Sequence, residues 1–493
     1  MLVNKIKLEP IFILFTITTL AFILRWWHFT SNPPSLYVDE VSHGYNAYSI
    51  LKTGRDEYGS FMPFFFRSFN VYNPPLAVYS LVPSIAVFGL NEFAVRLPAV
   101  LFGTLFIPLS YFFILLLTKN KKLALVSAFF LSISPWHIHF SRFYHEANFT
   151  VFFSTFGITL FLLARKKPYL YVLSALSFAA AMNFSHVGKI FVPMFVLLAV
   201  LFFRPNLPGK LKPIILGSII LIASLLPHIL NLDKSLARGA SISIIGSGDM
   251  KVENFINGYL SHFSPKFLFN RGDYQGRHSV PGMGELYVFE IPLILFGAYL
   301  LIKNKEKGYK FLLLWLLVAP IPAALTTPTP HAGRDLTVLP VWAAVSAIGL
   351  LFMIKNYKWF ILLPLIPIAI YNQVTYLHLY HMHYPKEKAV DWADGYKQMS
   401  LAVGERYNDY ERFAITRYWG LPYIYILFYL QFDPAIYQKQ AEDKNAFDKF
   451  EFYLGAPKPS DKKTLFVSTA EHKDNIVKEI RLNNGDLFFT VHE

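Results

Sequence analysis

The run "PPLAVYSLVPSIAVFG", residues 74–89, decides how this chain is threaded. It is apolar, but it is short for the roughly 20 residues that cross a bilayer as a helix, and it carries Pro83. If it crossed, every basic connection after it would change sides. Read as an interfacial or re-entrant helix on the outer face, it leaves a consistent pattern. Apolar runs then fall at about 10–27, 95–117, 123–140, 149–164, 169–183, 188–203, 213–230, 286–302, 311–325, 336–354 and 359–372. The connections "TKNKK", "RKK", "RPNLPGKLK", "KNKEKGYK" and "KNYK" share a side with the amino-terminal "NKIK". Lysine and arginine concentrate on the cytoplasmic side of membrane proteins, so that side is inside. The expectation is about eleven spans, with the amino terminus inside and the carboxyl terminus outside.

Composition agrees. Of the 493 residues 54% are hydrophobic and only 16% charged, too apolar for an ordinary soluble domain. Aromatic residues reach 17%, mostly Phe and Tyr, as suits rings facing lipid and its interfaces. The formal charge of +14 sits in short clusters between apolar runs, which marks topology and argues against a nucleic-acid partner. Cysteine is absent, so disulfides, thiolate metal sites and a cysteine nucleophile are excluded. The first apolar segment lacks a small-residue cleavage site and ends in Arg25, Trp26 and Trp27, an interfacial anchor, so it reads as a retained helix.

Residues 1–372 form the expected membrane domain, with a first outer loop at 28–94 and a large one at 231–285. From 373 to 493 the composition turns to charge and tyrosine, with an apolar stretch "LPYIYILFYLQF" and strand patterns at "KTLFVSTA" and "DLFFTVHE". That mixture predicts a small α/β domain outside the membrane.

With this threading the unusual polar residues gather on the outer face, where a site is expected. "SLYVDEVSHGYNAYSI", 35–50, places Asp39 and Glu40 ahead of Tyr45, Tyr48 and Leu51 at helical spacing. The pair is either a solvated loop feature or the cap of an amphipathic helix on the membrane surface. At that depth carboxylates lose hydration and gain basicity, which suits a general base. His43 of the same stretch joins the substrate-binding candidates. "SRFYHEANF" puts Arg142, His145 and Glu146 at a helix end, where Arg142 either pairs with Glu146 four residues on or clamps a phosphate. His186 with Lys189, and His331 with Arg334, repeat the pairing of imidazole and cation, and favour an anionic substrate over simple helix-end anchors. Arg277 and His278 sit among Gly272, Gly276, Gly282 and Gly284, in a loop that is either an ordinary turn cluster or one that embraces substrate.

Other chemistries fit poorly. No nucleotide-type phosphate loop or GxSxG elbow occurs. "HIH" at 137–139 has metal-ligand residues, but it lies beside Trp136 at a helix end and is assigned no metal.

Together, the Asp-Glu after the first helix, "NPPLAVYSLVPSIAVFGLNEFAVRLPAVLFGTL", "SPWHIHFSRFYHEANF" and "HAGRDLTVLP" resemble the bacterial GT-C glycosyltransferases. The likeness is to the family 39 branch, related to protein O-mannosyltransferases and the lipid A aminoarabinose transferase, and covers roughly residues 10–372. It implies a polyprenyl-phosphate monosaccharide donor and transfer to an acceptor hydroxyl of a lipid, glycan or protein, outside the cytoplasmic membrane. It makes Asp39 the catalytic base, Glu40 a positioning group and Arg142 a contact of the donor phosphate. It names no cofactor; a divalent metal is compatible with the chemistry but is not indicated. A transporter or flippase would need ionisable residues at mid-membrane and broken helices paired across inverted repeats, and a glycan polymerase would need long arginine-rich outer loops. Neither pattern stands out here.

Overall fold

The computed structural model describes residues 8–69, 71–204, 211–235, 252–357, 359–440, 445–469 and 475–493. The basic segments at 4–7 and 205–210, Lys358 and the 236–251 part of the 231–285 loop lie outside them. Two compact units emerge from the contacts. The first comprises Met1–Trp27, Phe69–Leu76 and Ala99–Leu379; the second comprises His28–Ser68, Ala77–Pro98 and Tyr380–Glu493.

Every run expected to cross is helical. In chain order, α1 is Leu8–Trp26, α2 Val38–Thr53, α3 Pro75–Tyr79, α4 Val82–Phe88, α5 Glu92–Thr118 and α6 Lys121–Ile133. Then come α7 Pro135–Phe140, α8 Glu146–Ala164, α9 Leu170–Phe184, α10 His186–Phe203 and α11 Leu211–Leu230. Among the described residues, seven helices are long and apolar enough to span: α1, α5, α8, α10, α11, Lys307–Ala324 and Leu336–Asn356. The remaining expected spans are shorter, with 15 residues in α9 and 14 each in Glu290–Lys303 and Leu365–His378. The run at 123–140 breaks between α6 and α7, because Pro135 has no N–H for the Leu131 carbonyl and opens a new helix instead. The deciding run at 74–89 forms α3 and α4, of 5 and 7 residues, neither long enough to cross.

In the first unit Leu336–Asn356 is central, with 78% of its apolar window buried, whereas α11 is peripheral at 11%. Its outward apolar residues, such as Ile222, need lipid rather than protein around them. Between α8 and α9 the polar glue is local: Ser174 donates to the Gly157 carbonyl at 2.7 Å and Ser177 to that of Phe153 at 2.7 Å. Glu290–Lys303 and Leu339–Asn356 approach through glycine. A Cβ on Gly349 would stand 1.8 Å from the Leu293 carbonyl oxygen, and one on Gly297 would stand 2.0 Å from that of Val345.

Two buried arginines close the broken helix ends of this unit. Arg25 donates to the carbonyls of Leu131 and Ser132, at 3.4 and 3.1 Å, which the α6–α7 break leaves open. Arg142 donates to the carbonyls of Leu24, Arg25 and Trp27 at the end of α1, at 2.8, 3.3 and 2.5 Å. Backbone acceptors that water cannot reach are thereby paired.

The second unit contains a six-stranded mixed sheet in the order Ala446–Phe447, Phe450–Tyr453, Arg412–Thr416, Thr464–Thr469, Leu487–His492, Ile476–Arg481. Arg412–Thr416 runs parallel to both neighbours. The two strands expected from sequence are the antiparallel pair Thr464–Thr469 and Leu487–His492, with Phe466 opposite His492. The stretch "LPYIYILFYLQF" supplies the helix Pro422–Tyr429, which with Pro434–Tyr437 packs on α2. A helix resting on a surface would bury one stripe, but α2 buries residues all round from Glu40 to Ala47. Its polar side chains are therefore paired inside: Asn46 donates to Glu57 at 3.3 Å and accepts from the Glu57 N–H at 3.0 Å.

The close helix pair gives a stability test. Gly349→Leu must force Glu290–Lys303 away, and should cost about 3 kcal/mol or more, the upper range for overpacking. Its detergent melting temperature should fall well below the wild type, while Ile354→Ala, at an exposed position of the same helix, should melt normally.

Candidate active site

The adjacent carboxylates of the first loop have different surroundings. Glu40 is 1% exposed and receives Arg96 Nε at 3.1 Å and Nη2 at 3.2 Å. It also accepts from the Tyr37 N–H at 3.1 Å, closing the first turn of α2. Arg96 is fully buried; beyond Glu40 it donates to the carbonyls of Phe29 at 3.0 Å, Pro33 at 2.8 Å and Ser35. One guanidinium thus holds the whole approach to α2. Asp39, one residue earlier and partly exposed, has no ion pair or carboxylate hydrogen bond among the described residues. Helical geometry turns neighbours about 100° apart, so one carboxylate faces inward and the other remains available for chemistry. His43 is buried in the same helix.

The first unit brings three candidate imidazoles together around a residue that the sequence reading did not single out. Asp273 Oδ2 lies 3.0 Å from His278 Nδ1 and 3.7 Å from His331 Nδ1. It accepts from the Ala332 N–H at 2.8 Å, and its other oxygen from the Gln275 N–H at 2.9 Å. The His145 ring stands 6.2 Å from that of His278, and a Cβ on Gly333 would come 3.0 Å from His145 Nε2. "HAGRD" therefore needs its small residue to let the loop close on His145. Burial lowers His278 despite the pull of Asp273, and lowers His331 far below the usual imidazole range. Burial thus works against the charged form of each ring beside Asp273. Burial raises the carboxyls of Glu285, which also faces Asp273, and of Asp335 well above the carboxylate range.

The cations divide. Arg142 and Glu146 do not share a helix as expected: α7 ends at Phe140, and His145 caps α8 by accepting from the Ala147 N–H at 3.2 Å. Residues 141–145 form the turn between α7 and α8, so the four-residue spacing spans it. The Arg142 guanidinium lies on the end of α1. Lys189 is partly buried, 3.4 Å from both His186 Nδ1 and Ser235 Oγ. Arg334 donates to Thr326 Oγ1 at 2.6 Å and to the Thr327 carbonyl. Arg277 contributes its carbonyl, which lies 2.7 Å from His139 Nε2.

Arg96, Asp273, Glu285 and Asp335 were missed. Arg96 and Asp335 lie inside the quoted motifs and Asp273 beside Gly272, and the available signal is that each is a charge in an otherwise apolar or glycine-rich run. Glu40→Ala leaves the buried Arg96 without its carboxylate, and should cost about 3 kcal/mol or more, read as a lower detergent melting temperature. Arg96→Lys keeps the charge but loses the planar fork, and should fall in between. Wild-type melting of Glu40→Ala would remove the pair from the list of structural anchors.

Residues 15–233 match the family model described as dolichyl-phosphate-mannose-protein mannosyltransferase. No curated protein matches the chain by sequence. ArnT from Cupriavidus metallidurans in the apo state is similar in structure, with a TM-score of 0.57 at 12% identity, covering 98% of this chain and 97% of that one. The same protein bound to undecaprenyl phosphate gives 0.56 at 11%, with 98% of each chain covered. The oligosaccharyltransferase from Archaeoglobus fulgidus in its apo form gives 0.52 at 15%, over 86% of this chain. This chain spans 64% of that protein's length. These likenesses show that the chain shares the fold of the two proteins, and the family model matches residues 15–233, less than half of the chain.

Proposed function

We propose that the protein is an inverting glycosyltransferase that moves a monosaccharide from a polyprenyl-phosphate donor to an acceptor hydroxyl. The reading supports a site on the outer face of the cytoplasmic membrane, with the amino terminus inside and the carboxyl-terminal domain outside. The observation that carries it is the contrast between Glu40, locked by Arg96, and Asp39, held on the same turn without an ion pair. A base must be rigidly placed yet have its lone pairs free, and that contrast meets both needs. The similarity of ArnT, whose structure holds undecaprenyl phosphate, supports a lipid-phosphate donor.

In this mechanism Asp39 takes the proton from the acceptor hydroxyl as its oxygen attacks the anomeric carbon. The bond to the lipid phosphate breaks on the opposite face, and the anomeric centre inverts. The departing phosphate takes up negative charge, which a nearby cation lowers in energy. Within the first unit, Lys189 and Arg334 are the candidates for contacting an anionic donor group. Arg142 was the expected phosphate contact, but its guanidinium is engaged with α1 carbonyls, and it is reassigned to holding the helix end. His43, His145, His186, Arg277, His278 and His331 remain candidates for shaping the substrate sites.

Asp39→Asn should lower transfer from a labelled polyprenyl-phosphate sugar in membranes by about 100-fold or more, while melting stays unchanged because no partner is lost. Lys189→Ala should raise the KM for the donor. Arg142→Ala should lower the melting temperature before it changes donor affinity. Full turnover by Asp39→Asn would refute the assignment of the base.

A further inference from the structure

We propose that Asp273, His278 and His331 form a binding site for one divalent transition-metal ion of the zinc class. The site goes beyond the transfer reading and stands on its own geometry. A tetrahedral ion with bonds of about 2.0–2.2 Å sets its donor atoms about 3.2–3.6 Å apart. Here the carboxylate oxygen is 3.0 Å from one imidazole nitrogen and 3.7 Å from the other, and all three donors lie within 4.8 Å of one another. Small side-chain rotations would meet the geometry.

A hydrogen bond alone accounts for only part of the arrangement. His278 Nδ1 donates to Asp273, but His331 Nδ1 faces the same oxygen from beyond hydrogen-bond range. Its lone pair takes only a long bond, 3.3 Å, from the Arg334 N–H. The two rings lie 4.5 Å apart between centroids, so two buried imidazoles converge on one carboxylate. The surrounding bonds hold the donors in place as an outer shell does. The Ala332 and Gln275 N–H groups fix the carboxylate, Ser279 Oγ donates to the Asp273 carbonyl at 2.7 Å, and the His331 N–H donates to His262 Nε2 at 3.1 Å. Two nitrogen donors and one oxygen favour zinc, cobalt or iron(II) over magnesium or calcium, which take oxygen. Loading shifts the single ring proton of His278 from Nδ1 to Nε2, so the ring stays neutral and the Nδ1 lone pair binds the ion. Three protein ligands leave a fourth position for water or a ligand. The ion would tie the loop before Glu290–Lys303 to the "HAGRD" loop.

The test uses full-length protein in detergent, stripped with chelator and reloaded with Co2+ as the spectroscopic probe. We expect one ion per chain by elemental analysis and the visible absorption of four-coordinate cobalt. His278→Gln and His331→Gln should each lower occupancy at least about tenfold at equal free metal, while His186→Gln should not. His331→Cys should restore binding with a new sulfur-to-cobalt band, and this settles the matter if a glutamine variant fails to fold. Wild-type protein that takes up no cobalt, glutamine variants that bind as the wild type does, or a folded His331→Cys without the band would each overturn the site.

Discussion

A backbone carbonyl at the end of a helix costs little in water and several kcal/mol in an apolar medium. This chain is apolar enough to be surrounded by such a medium, and it breaks its helices repeatedly. Its answer is the buried guanidinium, which carries five donors in a planar fork and stays charged. Arg25 serves the carbonyls freed where Pro135 interrupts a helix, and Arg142 serves the end of α1. In the second unit Arg96 does the same for the 29–35 approach and adds a carboxylate partner in Glu40. Each arginine is fully buried and none is spare charge.

That economy changes how charges in such a sequence should be read. In a soluble protein a carboxylate pair is normally two solvated groups. Here Glu40 is consumed by architecture, and its neighbour keeps its lone pairs. The placement of Asp39 depends on a network ending in backbone carbonyls of the preceding loop, so the precision of the proposed base rests on non-chemical contacts. The carboxyl-terminal helix Pro422–Tyr429 completes the enclosure by packing on α2. The two segments are distant in sequence, and both belong to the second unit.

Local patterning made much of the fold legible. Apolar runs marked the helices, Pro83 and the short run around it excluded a span at 74–89, and alternation found the strands at 464–469 and 487–492. These signals depend on residues close in the chain. The candidate site was legible only in part. The sequence singles out His278 and His331 but not the Asp273 they face, because a lone aspartate in "RGDYQGRHS" carries no periodic signal. Arg142 reads in sequence as either a partner of Glu146 or a phosphate clamp, and its bonds to the α1 carbonyls come from the fold, since a guanidinium bound for carbonyls and one bound for phosphate look alike in one dimension.

The sequence by itself determined that the chain is a membrane-spanning helical protein with polar residues gathered in the connections between its apolar runs and a mixed carboxyl-terminal tail, because hydrophobic length and charge placement are properties of segments. Only the tertiary structure decided which of two adjacent carboxylates is spent, which arginines cap helices, and which imidazoles face one another. Those outcomes depend on which distant backbone groups lack partners, and pairing across the fold is what satisfies them.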